Sequence, residues 1–392
     1  MRISKLDGLR GIFSLMVVIY HYPAEYIPEF IHTSFIVAKS YLFVDFFFVL
    51  SGFVIAYNYS DRLKSTGKLG TFIQKRIIRL YPLLVFTTLV FLSVTLGAKV
   101  LLPELTNNSG SFLPAILETV NTLTFLNSTP VLSGYLITNP LGMNYPSWSI
   151  SAEMFAYIFF GAISLWCMSQ KRNVVLASSI VLGMLFLLTK SAMRMEGNYD
   201  FLRGILSFNI GYFVFLFSKK NLKINNGLEV GLVVALVGLF YFATTFSDGL
   251  SKTLLESCLI PLFFGLSIFT LVHTNGIVSK LMSAPPFQFL GKISYSVYLN
   301  HAIFLFVLPK AFFSVLKFQQ STAVEIAVLI VIVIMVIIYS VITYNIVERN
   351  CGNLLKRLIL EPLPVASPKM VVSMVPQPNK EPVQNRRRGE SL

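Results

Sequence analysis

The chain has 392 residues, 55% of them apolar and only 13% charged, with 35 phenylalanines. Soluble globular domains carry about 25% charged residues, so the composition excludes that class and points to an all-α, polytopic membrane protein. The net charge of +14 is then expected to be a topology signal, and a nucleic-acid partner is not expected.

Apolar runs of about 20 residues, long enough to span a bilayer, recur along the chain. About ten transmembrane helices are predicted, at 8–26, 40–58, 77–98, 146–168, 173–190, 199–218, 227–246, 254–273, 288–313 and 322–347. Between the third and fourth lies a Pro/Asn/Ser-rich loop, 99–145, whose apolar piece FLPAILETVNTLTFL is expected to form a short interfacial or re-entrant helix. The three cysteines, Cys167, Cys258 and Cys351, fit neither a disulfide framework nor metal-ligand spacing, so they are expected to be packing residues. No metal site is predicted.

Lys and Arg collect on the side that holds both termini, chiefly in residues 59–79, 218–226 and 349–392, against Lys39, Lys99, Lys190, Arg194, Lys252, Lys310 and Lys317 opposite. The positive-inside rule therefore supports both termini in the cytoplasm, and the expected location is the plasma (inner) membrane, crossed many times. The expected division is a membrane domain, 1–348, followed by a disordered, basic and Pro-rich cytoplasmic tail, 349–392.

Ionisable residues inside apolar runs mark functional sites by default. The first run, LDGLRGIFSLMVVIYHY, carries Arg10 and His21. Eleven helical steps make about three turns, which puts both on one face about 16 Å apart along the axis. Asp45 in the second run and Glu153 in the fourth enter from the outer side, toward which His21 also leaves, so an outer cavity gathering the three is expected. Arg10, Arg76 and Arg79 are expected at the inner rim, an arrangement suited to an anion bound inside and acid/base chemistry further out. His301, in the ninth run, is expected to join the same cavity.

These segments carry a resemblance. LDGLRGIFSLMVVIYHY, FFFVLSGF, KRIIRLYP, WSISAEMF, LGKISYSVYLNH and the closing IVERN, in that order over about residues 5–350, are similar to the acyltransferase 3 family of integral membrane O-acyltransferases. The resemblance implies a ten-helix bundle that takes an acyl group, most often acetyl from cytoplasmic acetyl-CoA, and transfers it to a carbohydrate hydroxyl, as in surface polysaccharides or lipid-linked sugars. The family's essential pair falls on Arg10 and His21, its acidic residue on Glu153 and its inner basic motif on Arg76 and Arg79. Ala152 and Met154, beside Glu153, depart from the usual family pattern, and Arg203 matches a weaker family position on the sixth helix.

On this reading Arg10, Arg76 and Arg79 take the phosphates of acetyl-CoA through bidentate bonds. His21 is the base that deprotonates the acceptor, with Glu153 or Asp45 orienting its ring. Trp148, Ser149 and His301 are candidates for substrate contact. The competing reading is a proton-coupled secondary transporter that uses His21, Asp45, Glu153 and His301 as a relay.

Overall fold

The computed structural model describes residues 3–360 apart from 61, 64, 102–111, 133–136, 138, 168, 191–198, 221 and 246–248. Its principal helices are α1 (Ser4–Tyr20), α2 (Phe43–Tyr59), α3 (Thr66–Leu101), α4 (Leu113–Leu123), α5 (Trp148–Trp166), α6 (Ser169–Lys190), α7 (Asp200–Ser218), α8 (Leu228–Thr245), α9 (Ile260–His273), α10 (Pro285–Lys310), α11 (Thr322–Thr343) and α12 (Gly352–Leu360). Among the described residues nine helical spans are long and apolar enough to cross a membrane. These correspond to the second to tenth predicted runs.

The first predicted run is shorter than expected. α1 has 17 residues, a length of about 25 Å at 1.5 Å per residue. It stops because Pro23 follows, and a proline disfavours helical geometry at the residue before it. His21 is thus the C-cap of α1, with its backbone N–H on Val17 O, rather than a residue within a longer helix. The apolar piece of the long loop forms α4. The chain also stays helical past Glu348, through a π-helical stretch at Tyr344–Cys351 into α12, so the first residues of the expected tail are helical. The rest of that tail, 361–392, lies outside the described residues.

Hydrophobicity cannot drive helices together in lipid, so close packing must, and small residues at crossings permit it. α7 packs against α2, α5, α6 and α9, and α1 lies along α10. At the α2–α7 crossing a Cβ on Gly52 would overlap the backbone of Phe208, and one on Gly211 would overlap that of Val49. At the α1–α10 contact a Cβ on Gly11 would overlap Leu290 and Gly291, and one on Gly291 would overlap Asp7. Phenylalanines close the centre: Phe13 of α1 stacks on Phe43 at 4.0 Å between ring centroids and meets Phe46 edge-on at 4.8 Å. α6 and α8 instead expose Val181, Leu182, Leu185, Val234, Tyr241 and Phe242, the apolar surface a lipid-facing helix presents.

Candidate active site

A cavity of about 330 Å³ opens among α1, α2, α3, α5 and α10. Its polar lining comes from Asp7 and Arg10 on α1, Ser51 and Asn58 on α2, Arg76 and Arg79 on α3, Ser149, Glu153 and Tyr157 on α5, and Tyr295 and Tyr298 on α10. Arg76 and Arg79 share a face of α3 because they are three residues apart. The same logic, with a spacing of four, puts Glu153 and Tyr157 together on α5.

Each charged side chain in the cavity has a distinct footing. Glu153 accepts short hydrogen bonds from Ser51 Oγ and Tyr157 OH, both 2.5 Å. The guanidinium of Arg76 lies over the rings of Tyr59, Phe72 and Tyr157, at 5.6, 5.8 and 5.9 Å from their centroids, and its buried Nε has no hydrogen-bond partner among the described residues. Arg10 stands 3.7 Å from Asp7. The Arg79 guanidinium lines the cavity and makes no hydrogen bond or ion pair among the described residues.

Arg10 and Arg79 are close enough to repel one another, and Glu153 and Glu348 are close enough to both to offset this. Glu348 belongs to IVERN, the last segment of the resemblance, where nothing local in the sequence marks it as a site residue. It lies on the π-helical stretch and accepts from Ser296 Oγ at 2.7 Å. Such register breaks are frequent at functional sites.

The residues expected to share one outer cavity are distributed otherwise. Glu153 lines the cavity of the three arginines. Arg76 and Arg79, expected at the inner rim, lie ten or more residues inside α3, which has 36 residues and reaches about 54 Å. Neither Asp45 nor His21 lines that cavity; the Asp45 carboxylate accepts from Arg203 Nη2 at 2.7 Å, from Arg203 Nε at 3.1 and 3.2 Å, and from Ser207 Oγ at 3.0 Å. A buried carboxylate needs such a counter-charge. Trp148 covers the same guanidinium at 5.3 Å.

His21 and His301 do come together. His301 is fully buried, and its Nε2 stands 3.2 Å from His21 Nδ1, which also lies 3.0 Å from Val17 O. Tyr145 borders both rings, at 5.0 and 5.9 Å. Tyr298 joins this cluster to the cavity: its ring is 5.9 Å from that of His301, and its hydroxyl accepts from Ser149 Oγ at 2.9 Å. Glu153, Ser149 and Tyr298 line the arginine cavity, which neither histidine lines, and the Tyr298 ring separates it from His301. Among the described residues no group of three or more His, Cys, Asp or Glu is placed to hold a metal ion.

Comparison with known proteins gives this geometry a context. A family model described as an acyltransferase domain, of the acyltransferase 3 type, matches residues 3–345. The chain is 25% identical over 313 residues to the O-acetyltransferase OatA of Staphylococcus aureus, covering 76% of this chain and 49% of that protein. A putative O-acetyltransferase of S. aureus strain COL is 26% identical over 326 residues, covering 78% of this chain and 51% of that protein. A protein of the Rhizobium radiobacter picA locus is 45% identical over 85 residues, covering 21% and 41%. The chain spans about half the length of the curated relatives it matches, or less. No solved structure matches.

Proposed function

The chain belongs to the acyltransferase 3 family, and from that premise we propose that it is a membrane O-acyltransferase of the plasma membrane, with both termini cytoplasmic. It moves an acetyl group from acetyl-CoA to a hydroxyl of a carbohydrate such as a surface polysaccharide or lipid-linked sugar. The observation that carries this reading is the convergence of Arg10, Arg76 and Arg79 on one cavity, with His21 further along the same helix as Arg10.

The residues present fit an anionic donor. Among the described residues Arg79 makes no hydrogen bond and the buried Nε of Arg76 is unsatisfied, so phosphates of coenzyme A would gain charge-assisted hydrogen bonds there. The thin pantetheine arm would run from the arginine cavity past Tyr298 toward His21. There the imidazole takes the proton of the acceptor hydroxyl as its oxygen attacks the thioester carbonyl; the carbon–sulfur bond breaks, and the departing thiolate takes a proton back from the imidazolium. Glu153, held by Ser51 and Tyr157, serves the arginine end by balancing its charge.

A proton relay through His21, Asp45, Glu153 and His301 has weaker support. Asp45 is bound to Arg203, Glu153 belongs to the arginine cavity, and only the two histidines touch. The test is calorimetry with acetyl-CoA on detergent-purified protein, together with transfer of labelled acetyl to membrane glycans. Wild type is expected to bind and transfer, and His21→Ala to bind without transferring. Absence of acetyl-CoA binding would reject the donor, and undiminished transfer by His21→Ala would reject the base.

A further inference from the structure

We propose that His301 is the positioning residue of His21: its Nε2 accepts, together with Val17 O, from the protonated Nδ1 of His21, which leaves Nε2 of His21 as the basic nitrogen. The proposal rests on the acyltransferase reading above for its catalytic consequence, but its geometric content stands on the two helices themselves.

α1 and α10 run side by side with one constant offset. Gly11 meets Gly291 at their close approach, and ten residues further along each helix His21 meets His301. The absence of a side chain at both glycines brings the backbones together, and the parallel course of the helices carries that proximity to the imidazoles.

The tautomers follow from what surrounds one nitrogen. His21 Nδ1 has two neighbours: Val17 O at 3.0 Å and His301 Nε2 at 3.2 Å. A carbonyl oxygen only accepts. Were Nδ1 unprotonated, its lone pair would face that of Val17 O at hydrogen-bond distance. Nδ1 therefore carries the proton and donates to Val17 O and His301 Nε2 together, and His301 Nε2 must present its lone pair. In neutral His301 the proton is then on Nδ1, and in neutral His21 the lone pair is on Nε2.

The consequence for catalysis is specific. When Nε2 of His21 takes the acceptor's proton, positive charge spreads over the ring and the Nδ1–H bond becomes a stronger donor, with His301 Nε2 already in place to receive it. His301 thus fills, as a neutral and fully buried group, the position a carboxylate holds in a catalytic triad. The carboxylates expected there, Asp45 and Glu153, are engaged by Arg203 and by Ser51 and Tyr157.

The protein has four histidines, so 15N- and 13C-histidine labelling of the full chain in detergent resolves each ring by nuclear magnetic resonance, and His21→Gln assigns the His21 signals. The His21 ring is expected to show the Nδ1–H tautomer in wild type and to keep it in His301→Ala through Val17 O, with the Nδ1–H resonance shifted by the loss of its second acceptor. An Nε2–H tautomer in wild type, or an unchanged His21 spectrum in His301→Ala, overturns the proposal, whether or not the protein transfers acetyl groups. In the transfer assay, His301→Ala is expected to lower kcat by about 100-fold, at the low end of what a positioned base supplies, with KM for acetyl-CoA unchanged. His301→Gln, whose amide oxygen can reach the place of Nε2, is expected to return kcat to within about tenfold of wild type. Loss of Gln rescue in a variant that still elutes as wild type does, or a change confined to KM, also overturns it. Wild type that shows the expected tautomer but no acetyl transfer instead rejects the function while leaving the histidine pair in place.

Discussion

Arg203 holds Asp45 by three hydrogen bonds between α7 and α2, with Nη2 2.7 Å from Oδ2, and their side chains are only 4% and 0% exposed. Two charges taken out of water can remain only as a pair, and loss of one partner leaves the other uncompensated. Asp45→Ala is expected to destabilise the protein by about 3–5 kcal/mol. Asp45→Leu combined with Arg203→Leu is expected to recover most of that. Thermal unfolding in detergent checks both; a single variant as stable as the double would show that the pair does not hold α2 to α7.

Donor binding separates the arginines. Arg79 makes no hydrogen bond or ion pair among the described residues, whereas Arg10 already faces Asp7 at 3.7 Å. Arg79→Gln is expected to weaken acetyl-CoA binding by about 10- to 100-fold, the worth of a hydrogen bond between charged groups at 1.5–3 kcal/mol. The loss for Arg10→Gln is expected to be smaller. Calorimetric titration reads both, and equal affinity for wild type and Arg79→Gln would remove Arg79 from the donor site.

Glu153 tests the balance of charge in the cavity. Tyr157→Phe and Ser51→Ala each remove one donor to its carboxylate, which at about 1 kcal/mol apiece corresponds to roughly fivefold in transfer rate if the carboxylate wanders. Glu153→Ala is expected to abolish transfer with the protein still in the membrane, because it leaves the arginines without their shared counter-ion. Transfer that survives Glu153→Ala would make the carboxylate a packing residue only.

Glycines at crossings should differ sharply from glycines facing outward. Gly211→Leu forces a side chain into the backbone of Val49 and is expected to prevent recovery of folded protein. Gly231 and Gly238 on α8 have nothing within 4 Å of an added Cβ, so alanine there is expected to stay within about 1 kcal/mol of wild type. Yield of monodisperse protein and its unfolding temperature report both outcomes.

Much of this was legible in the chain itself. The cost of placing a polar residue in hydrocarbon acts residue by residue, so the apolar runs marked nine spans and α4 without reference to any neighbour. The helical repeat likewise put Arg76 with Arg79 on one face, as it put Glu153 with Tyr157. The order of motifs from Arg10 to Glu348 sufficed for the family.

Partnership across helices was not legible, because it depends on how each helix is rotated and how deep it sits, and both are set by contacts between residues far apart in sequence. Asp45 meets Arg203, 158 positions away, and His21 meets His301, 280 positions away. Glu153 joined the arginines rather than the histidines for the same reason. A run of apolar residues marks what must avoid water; only the close approach of backbones at Gly11 and Gly291, and at Gly52 and Gly211, decided which ionisable groups would face each other once there.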